Sequence, residues 1–435
     1  MPRSGSRPEI VVIGAGLAGL TAAYELRDRD VVVLESRDRV GGRTLSGERD
    51  GTWYNSGAQF VWDQRTLDLC RSLGIDVIGG AGAKSAVFVN GRLAVASDPY
   101  RLLLKMPVSW RDKLTFATTI TRLRRIASRM HGLDATLDAR SLADVIGPSA
   151  GVTRDILEMA TTSGTGLAAG DVSGAIGLGY AIHLFGGDVN DTLKAVRGGT
   201  QQISKAITQA IDPERVMVGC SAVAIEQGDG RVTVYYRRSD GGSEAVDADA
   251  CIVAVPADAV LELLPNLPDG KRSALEQMVP YAPIVSVAWV VDRAERAPWD
   301  RMLAVPAIGL SFELFSNNAF FAGHGVSAVT LATGPRAEAL AGLDDEGVVT
   351  IVRADLLKMF PDAGDLLGRA WTRVERWQGL PRFTRGWLAR RQALREPVGR
   401  VYFCGDYTAQ PGTPGAVGSG HHAARAVREA LRPSG

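Results

Sequence analysis

An α/β fold built on a doubly wound parallel sheet is predicted for this chain by three observations. The apolar run Ile10-Val11-Val12-Ile13 leads into a glycine turn, Gly14-Ala15-Gly16-Leu17-Ala18-Gly19. A second run, Val31-Val32-Val33-Leu34, ends on Glu35. Far along the chain, Val401-Tyr402-Phe403-Cys404 ends at Gly405-Asp406, and a glycine-rich stretch then opens a helical pattern that reaches Leu431. Strand, glycine turn, helix, strand and acid, in that order, make a Rossmann-type βαβ unit that binds a dinucleotide.

Each element has a physical reason. Gly14 allows the tight turn off the first strand. Gly16, one residue beyond Ala15, lets the backbone approach a pyrophosphate with no Cβ in the way. Gly19 lets the helix pack closely on the sheet. The helix start then offers unpaired N–H groups and a positive dipole end to phosphates. Glu35 lies 21 residues after Gly14, where a carboxylate accepts hydrogen bonds from ribose hydroxyls. Ser36 and Arg37 continue that edge of the expected nucleotide site.

The next segment separates flavin from nicotinamide. Glu35-x-x-x-x-Val40-Gly41-Gly42-Arg43 resembles the flavin-binding signature of the amine oxidase, protoporphyrinogen oxidase and phytoene desaturase superfamily. The resemblance implies FAD, with Gly42 passing close to its pyrophosphate and Arg43 neutralising it. Residues 51–60 resemble the segment that runs toward the flavin, which brings in Gly57, Ala58 and Gln59. The stretch from Val216 to Ile225, with Val232 to Tyr236, resembles the β-meander that meets the adenine, and Val223 is the expected contact. Ala250 to Ala257 resembles the strand and turn that close the nucleotide domain. Gly405 and Asp406 match the family's ribityl-binding turn. The helix start after Gly415 would direct the N–H groups of Ala416 and Val417 at the pyrimidine ring. A positive helix end there stabilises an anionic reduced flavin. These matches follow the family's order along the whole chain.

The implied architecture is a Rossmann-type FAD-binding domain interleaved with a mixed α+β substrate-binding domain. The first takes residues 1–80, 196–265 and 391–435; the second takes 81–195 and 266–390. Residues 81–195 read as basic and helical. Residues 266–390 read as strands with Pro/Gly turns, with one helix from Leu340 to Met359. A chain of 435 residues suits two domains.

Composition excludes several classes. The net charge of +1 implies no nucleic-acid partner. Cys70, Cys220, Cys251 and Cys404 form no C-x-x-C pair, so neither a disulfide framework nor a metal site is expected. Residues 1–8 are polar and basic, and no apolar stretch has membrane-spanning length, so a cytoplasmic location is expected. One segment qualifies this. In 98–131, Arg101, Lys105, Arg111, Lys113, Arg122, Arg124, Arg125 and Arg129 interleave with Leu102, Leu103, Leu104, Trp110, Leu114 and Phe116. Such a pattern fits peripheral contact with an anionic membrane or an acidic partner; a solvated helix face is the simpler reading.

The expected activity is that of an FAD-dependent oxidoreductase. It would dehydrogenate a C–C or C–N bond of a largely apolar small molecule by hydride transfer to flavin N5, with O2 or another acceptor completing the cycle. The flavin carries the redox step, so no catalytic dyad is required and no catalytic residue is assigned. Three departures separate the chain from ordinary amine oxidases. The family's strand lysine falls at Val285 or Ser286. The C-terminal aromatic of the monoamine oxidase cage falls near Gly412 or Thr413. The cysteine that links covalently to flavin falls near Leu380 or Pro381, so FAD is expected to be non-covalent. The segment from Arg376 to Gly386 looks instead like that of protoporphyrinogen oxidases and desaturases. His183, Trp377 and Phe383 are the substrate-side candidates. Two alternatives stand beside this reading: an amine or amino acid oxidase, and a non-redox flavin-dependent double-bond isomerase.

Overall fold

The computed structural model describes residues 7–130, 132–148, 151–185, 189–228, 230–291, 296–322 and 326–432. Five parallel strands form the nucleotide sheet, in the spatial order Val401–Phe403, Ala250–Val253, Ile10–Ile13, Val31–Glu35, Val216–Val218. Its three central strands are buried along their whole length. Burial on both faces accounts for their unbroken apolar sequence. The helices Leu17–Glu25 and Thr413–Ala430 cover one face. They approach so closely that a Cβ on Gly420 would lie 2.5 Å from the Ala18 carbonyl oxygen.

A second sheet, in the order Ala304–Pro306, Leu314–Asn317, Val326–Thr333, Ala282–Val291, Trp371–Leu380, is antiparallel. Period-two alternation divides its central strand. Val285, Val287, Trp289 and Val291 join a core with Val348, Val352 and Leu356 of the helix Asp345–Met359. Ala288 and Val290 face the other way and pack with Tyr54 and Val329. The chain leaves the nucleotide sheet and comes back where Val77–Gly79 pairs with Lys194–Val196.

Three sequence expectations need correction. Residues 81–195 open with a β-hairpin, Ser85–Val89 with Arg92–Ala96, before the helices begin. The hairpin was missed because its partner surface, Ala304–Pro306, comes from more than 200 residues downstream. The helix expected over Leu340 to Met359 is broken. Pro335–Ala341 ends at Gly342, and Asp344 caps a new helix by accepting from the Gly347 N–H at 2.8 Å. The meander is Cys220–Gly228, Arg231–Arg238 and Ser243–Ala248, while Val216–Val218 is the edge of the parallel sheet.

One buried cation joins the two halves. Lys271 donates to the carbonyls of Ala393 and Leu394, at 2.7 and 3.1 Å, at the end of the helix Trp387–Arg395. Its ammonium lies 3.8 Å from the Phe403 ring centroid. Burial lowers its pKa from 10.5 to about 7. The folded state therefore binds fewer protons than the unfolded state between these values. Stability from this site is fully present above about pH 10.5 and is lost as pH falls toward about 7. Lys271→Met is expected to flatten the melting temperature against pH between 7 and 10, read by thermal unfolding of both proteins.

Candidate active site

The glycine turn and the double glycine, separate in sequence, form one structure. Gly41 N–H donates to the Ala15 carbonyl at 2.8 Å, and Gly16 and Gly41 are bridged backbone to backbone. Gly14 (φ +103°) and Gly41 (φ +104°) occupy the left-handed region that favours glycine. A Cβ on Gly19 would lie 2.0 Å from the Gly14 carbonyl oxygen, whereas a Cβ on Gly16 would meet nothing within 4 Å. Gly19 thus serves packing, and Gly16 faces open space.

That space is a cavity of about 1220 Å³. Gly14, Gly16, Glu35, Ser36, Arg37, Gly42, Arg43, Gly57, Ala58, Gln59, Val223, Gly405, Asp406 and Ala416 all line it. Ala15, Gly19, Gly415 and Val417 do not. Ala15 acts through its backbone, donating to the Glu35 carboxylate at 2.7 Å. The other Glu35 oxygen accepts from the Arg37 N–H at 3.0 Å. These two bonds leave the carboxylate further acceptor capacity.

Val223 stands at a register shift in its strand: Ala222 pairs with Tyr236 and Ala224 with Tyr235. The extra residue is a β-bulge, whose backbone groups are outside the ladder. Arg43 and Asp406, expected at different parts of the cofactor, meet in an ion pair of 2.8 Å. Arg43 also donates to the Gly379 carbonyl at 2.8 Å. The expectation for the C-terminal helix start is corrected. That helix begins at Thr413, and Ala416 already donates to the Gly412 carbonyl at 3.1 Å. The N–H groups left by the helix start are those of Thr413 and Gly415, since Pro414 has none. Val417 is buried in the core.

The substrate-side candidates divide. Trp377 lines the cavity and donates from Nε1 to the Ser56 carbonyl at 3.0 Å. His183 lines it too, against Trp62, with ring centroids 5.1 Å apart. Its buried Nε2 has no partner, and burial lowers its pKa, which favours the neutral ring. Phe383 is a correction. It is fully buried and packs edge-on against Trp387 at 5.0 Å, away from the cavity wall. The chain turns after Leu380, so strand register does not carry Phe383 to the site.

Register also decides the lysine position. Ser286 faces the nucleotide domain and donates to the same Ser56 carbonyl at 2.7 Å; Val285 faces the opposite core. Sequence reading missed Trp62, Tyr180, Tyr281, Tyr407 and Thr413, all of which line the cavity. A Cβ on Gly412 would lie 3.6 Å from Trp62 and 3.7 Å from the Tyr180 hydroxyl. Aromatic rings thus stand beside the helix start, contributed by other segments. Tyr180 lies against Gly164, where a Cβ would come within 2.1 Å of its ring. The Tyr407 hydroxyl and the Thr413 Oγ1 are buried without partners. Only the position of Tyr407 next to Asp406 signalled it.

Comparison with known proteins decides the family. The profile described as flavin containing amine oxidoreductase matches residues 17–428. The chain belongs to this family. It is 28% identical to a Mycobacterium tuberculosis protein assigned as a flavin-containing monoamine oxidase, AofH, over 97% of each chain. It is 23% identical to an L-amino-acid oxidase of Protobothrops flavoviridis, over 99% of this chain and 90% of the other. Its fold matches that of cyclohexylamine oxidase from Brevibacterium oxydans IH-35A, with TM-score 0.82 and 21% identity, over 98% and 100% of the two chains. The protein is an FAD-dependent oxidoreductase, and the cavity fits that cofactor. It offers a side-chain-free cleft at Gly16 and Gly42, a bulge at Val223 and buried unpaired hydroxyls at its far end.

The two glycines give a sharp test. Gly19→Ala is expected to lower the melting temperature, because backbone must move. Gly16→Ala should leave the apoprotein's melting temperature unchanged while lowering the flavin-to-protein absorbance ratio. Glu35→Ala should weaken FAD retention by about 1.5–3 kcal/mol, the range for a hydrogen bond to a charged group. Unchanged flavin content on dialysis would contradict that role for Glu35.

Proposed function

We propose that this protein oxidises the C–N bond of an apolar monoamine. One observation carries the reading: the charge pattern of the cavity wall. Its buried carboxylates, among the described residues, are Glu35 and Asp406, both on the cofactor track. Beyond that track the wall is mostly apolar or neutral, with Phe116, Ile120, Ile156, Tyr180, His183, Leu193, Ile284, Leu331 and Trp377, and its charged side chains, Asp98, Arg124 and Glu262, are partly or fully exposed to solvent. A second ammonium would find no buried counter-ion there. An α-carboxylate would find Arg43, which Asp406 already engages, and otherwise only Arg37 and Arg124, both exposed to solvent. Burying an unpaired charge is costly, so the wall selects a substrate with one ionisable nitrogen, bound as the free base.

Gly14, Gly16, Gly42, Glu35 and Val223 would hold the adenosine and pyrophosphate end of FAD, with Arg43 and Asp406 further along. The helix start at Thr413 would face the ring. FAD, when bound, supplies a two-electron acceptor. The protein's own part is to exclude water with Trp62, Tyr180 and Trp377 and to orient the substrate carbon. His183, kept neutral by burial, would contribute an uncharged ring to the wall. The family relatives named as amine and amino acid oxidases support C–N rather than C–C oxidation.

Ser286 favours a second reading. Among the described residues no lysine lines the cavity, so reaction with O2 would lack that assistance. A C–C dehydrogenation that uses another acceptor fits this feature.

Anaerobic bleaching of the purified flavoprotein distinguishes these. Apolar monoamines should bleach it, while diamines, L-amino acids and polyene or tetrapyrrole precursors should not. Bleaching by a diamine or an amino acid would contradict the neutral-wall argument. Bleaching by a polyene or tetrapyrrole precursor alone would transfer the assignment to C–C chemistry.

A further inference from the structure

We propose that the face formed by the helices Pro99–Lys105 and Trp110–Ala127 docks on an anionic lipid surface, with the mouth of the cavity beside it. Four of the most exposed large apolar side chains among the described residues are here: Tyr100 (78% exposed), Trp110 (71%), Leu114 (60%) and Leu104 (58%). They form two i, i+4 pairs, one on each helix. Lys113 donates to the Leu104 carbonyl and holds the end of the first helix against the start of the second. Leaving this much apolar surface in water is unfavourable unless something covers it.

Charge selects the cover. Residues 98–131 carry eight lysines and arginines against two aspartates, in a chain whose net charge is only +1. Asp98 pairs with Arg101, while Arg111, Arg124, Arg125 and Arg129 have no carboxylate partner among the described residues. At 3.6 residues per turn, Trp110, Leu114 and Arg125 fall on one stripe, with Arg111 and Arg129 at its edge. Arginines beside an apolar stripe can lay their stems along it and carry their charge to the headgroups. A second copy of the chain would bring the same positive face against itself. No described helix is long and apolar enough to cross a membrane, so the contact is peripheral.

The same helices wall the cavity, and Tyr100 and Arg124 of the docking face are themselves among its lining. Leu102, Leu103, Met106, Phe116 and Ile120 line it. Docking would therefore set an apolar chamber next to the phase in which apolar solutes concentrate. The inference does not depend on which bond is oxidised.

Co-sedimentation of the holoenzyme with phosphatidylglycerol/phosphatidylcholine vesicles tests it. Binding is expected at low ionic strength and should weaken with salt. Brominated acyl chains should quench tryptophan fluorescence, and less so in Trp110→Phe. Trp110→Ser with Leu114→Ser should abolish sedimentation. Arg111→Gln, Arg125→Gln and Arg129→Gln should each lower the partition coefficient about fivefold, as for one basic residue at an anionic surface. Flavin content and near-ultraviolet circular dichroism of each variant confirm that it folds. No sedimentation at low salt overturns the proposal. So does binding that survives the apolar double variant, or a dimer seen by light scattering that this variant dissociates.

Discussion

The ion pair of Arg43 with Asp406 is the constraint on which the rest of the site depends. It joins the segment after the double glycine to the turn after the last strand, 363 residues away. Through the Gly379 carbonyl, Arg43 also reaches the edge strand of the second sheet. Three stretches of chain therefore meet at one guanidinium. The Asp406 side chain is 3% exposed, so it needs a partner at that depth. Removing the arginine would leave an unpaired buried charge, which is strongly destabilising. Together with the bond to Gly379, the pair ties the nucleotide sheet to the edge of the second sheet at the cavity wall.

Around that node, backbone rather than side chains shapes the cofactor track. Gly16, Gly41 and Gly42 lie against one another, and a Cβ on Gly42 would come 3.4 Å from the Gly16 Cα. Ser56 has a related part in the floor. Its carbonyl accepts from both Ser286 and Trp377, one from each of two paired strands. Gly57 follows because any Cβ there would lie 2.0 Å from the Arg43 carbonyl oxygen. A family pattern of glycines thus reflects contacts among distant backbones.

The cavity wall shows a different economy. The buried carboxylates are on the cofactor track, and the remainder is mainly apolar and aromatic, with its charged side chains at the solvent-exposed edge. Aromatic rings near the helix start come from Trp62 and Tyr180, so the site keeps such a wall although Gly412 and Thr413 contribute none. His183 adds a neutral polar atom held out of water.

The sequence by itself determined the nucleotide half. Its strands are short, continuous apolar runs beside glycine turns, and their signals are local. Glu35 was legible from its spacing to the glycine turn, and Arg43, Asp406 and Val223 from the resemblance to the family's motifs; all four line the cavity. Only the tertiary structure decided the rest. The hairpin at Ser85–Val89 is stabilised by a strand from far downstream, and the helix register at Thr413 depends on where the preceding turn ends. Phe383 and Trp377 look alike in sequence, yet one is core and the other lines the cavity, because the chain turns between them. Ser286 and Val285 differ by one residue and face opposite cores. Side-chain direction in a strand alternates with every residue, so single-residue placement is set by pairing with strands that the local sequence does not contain.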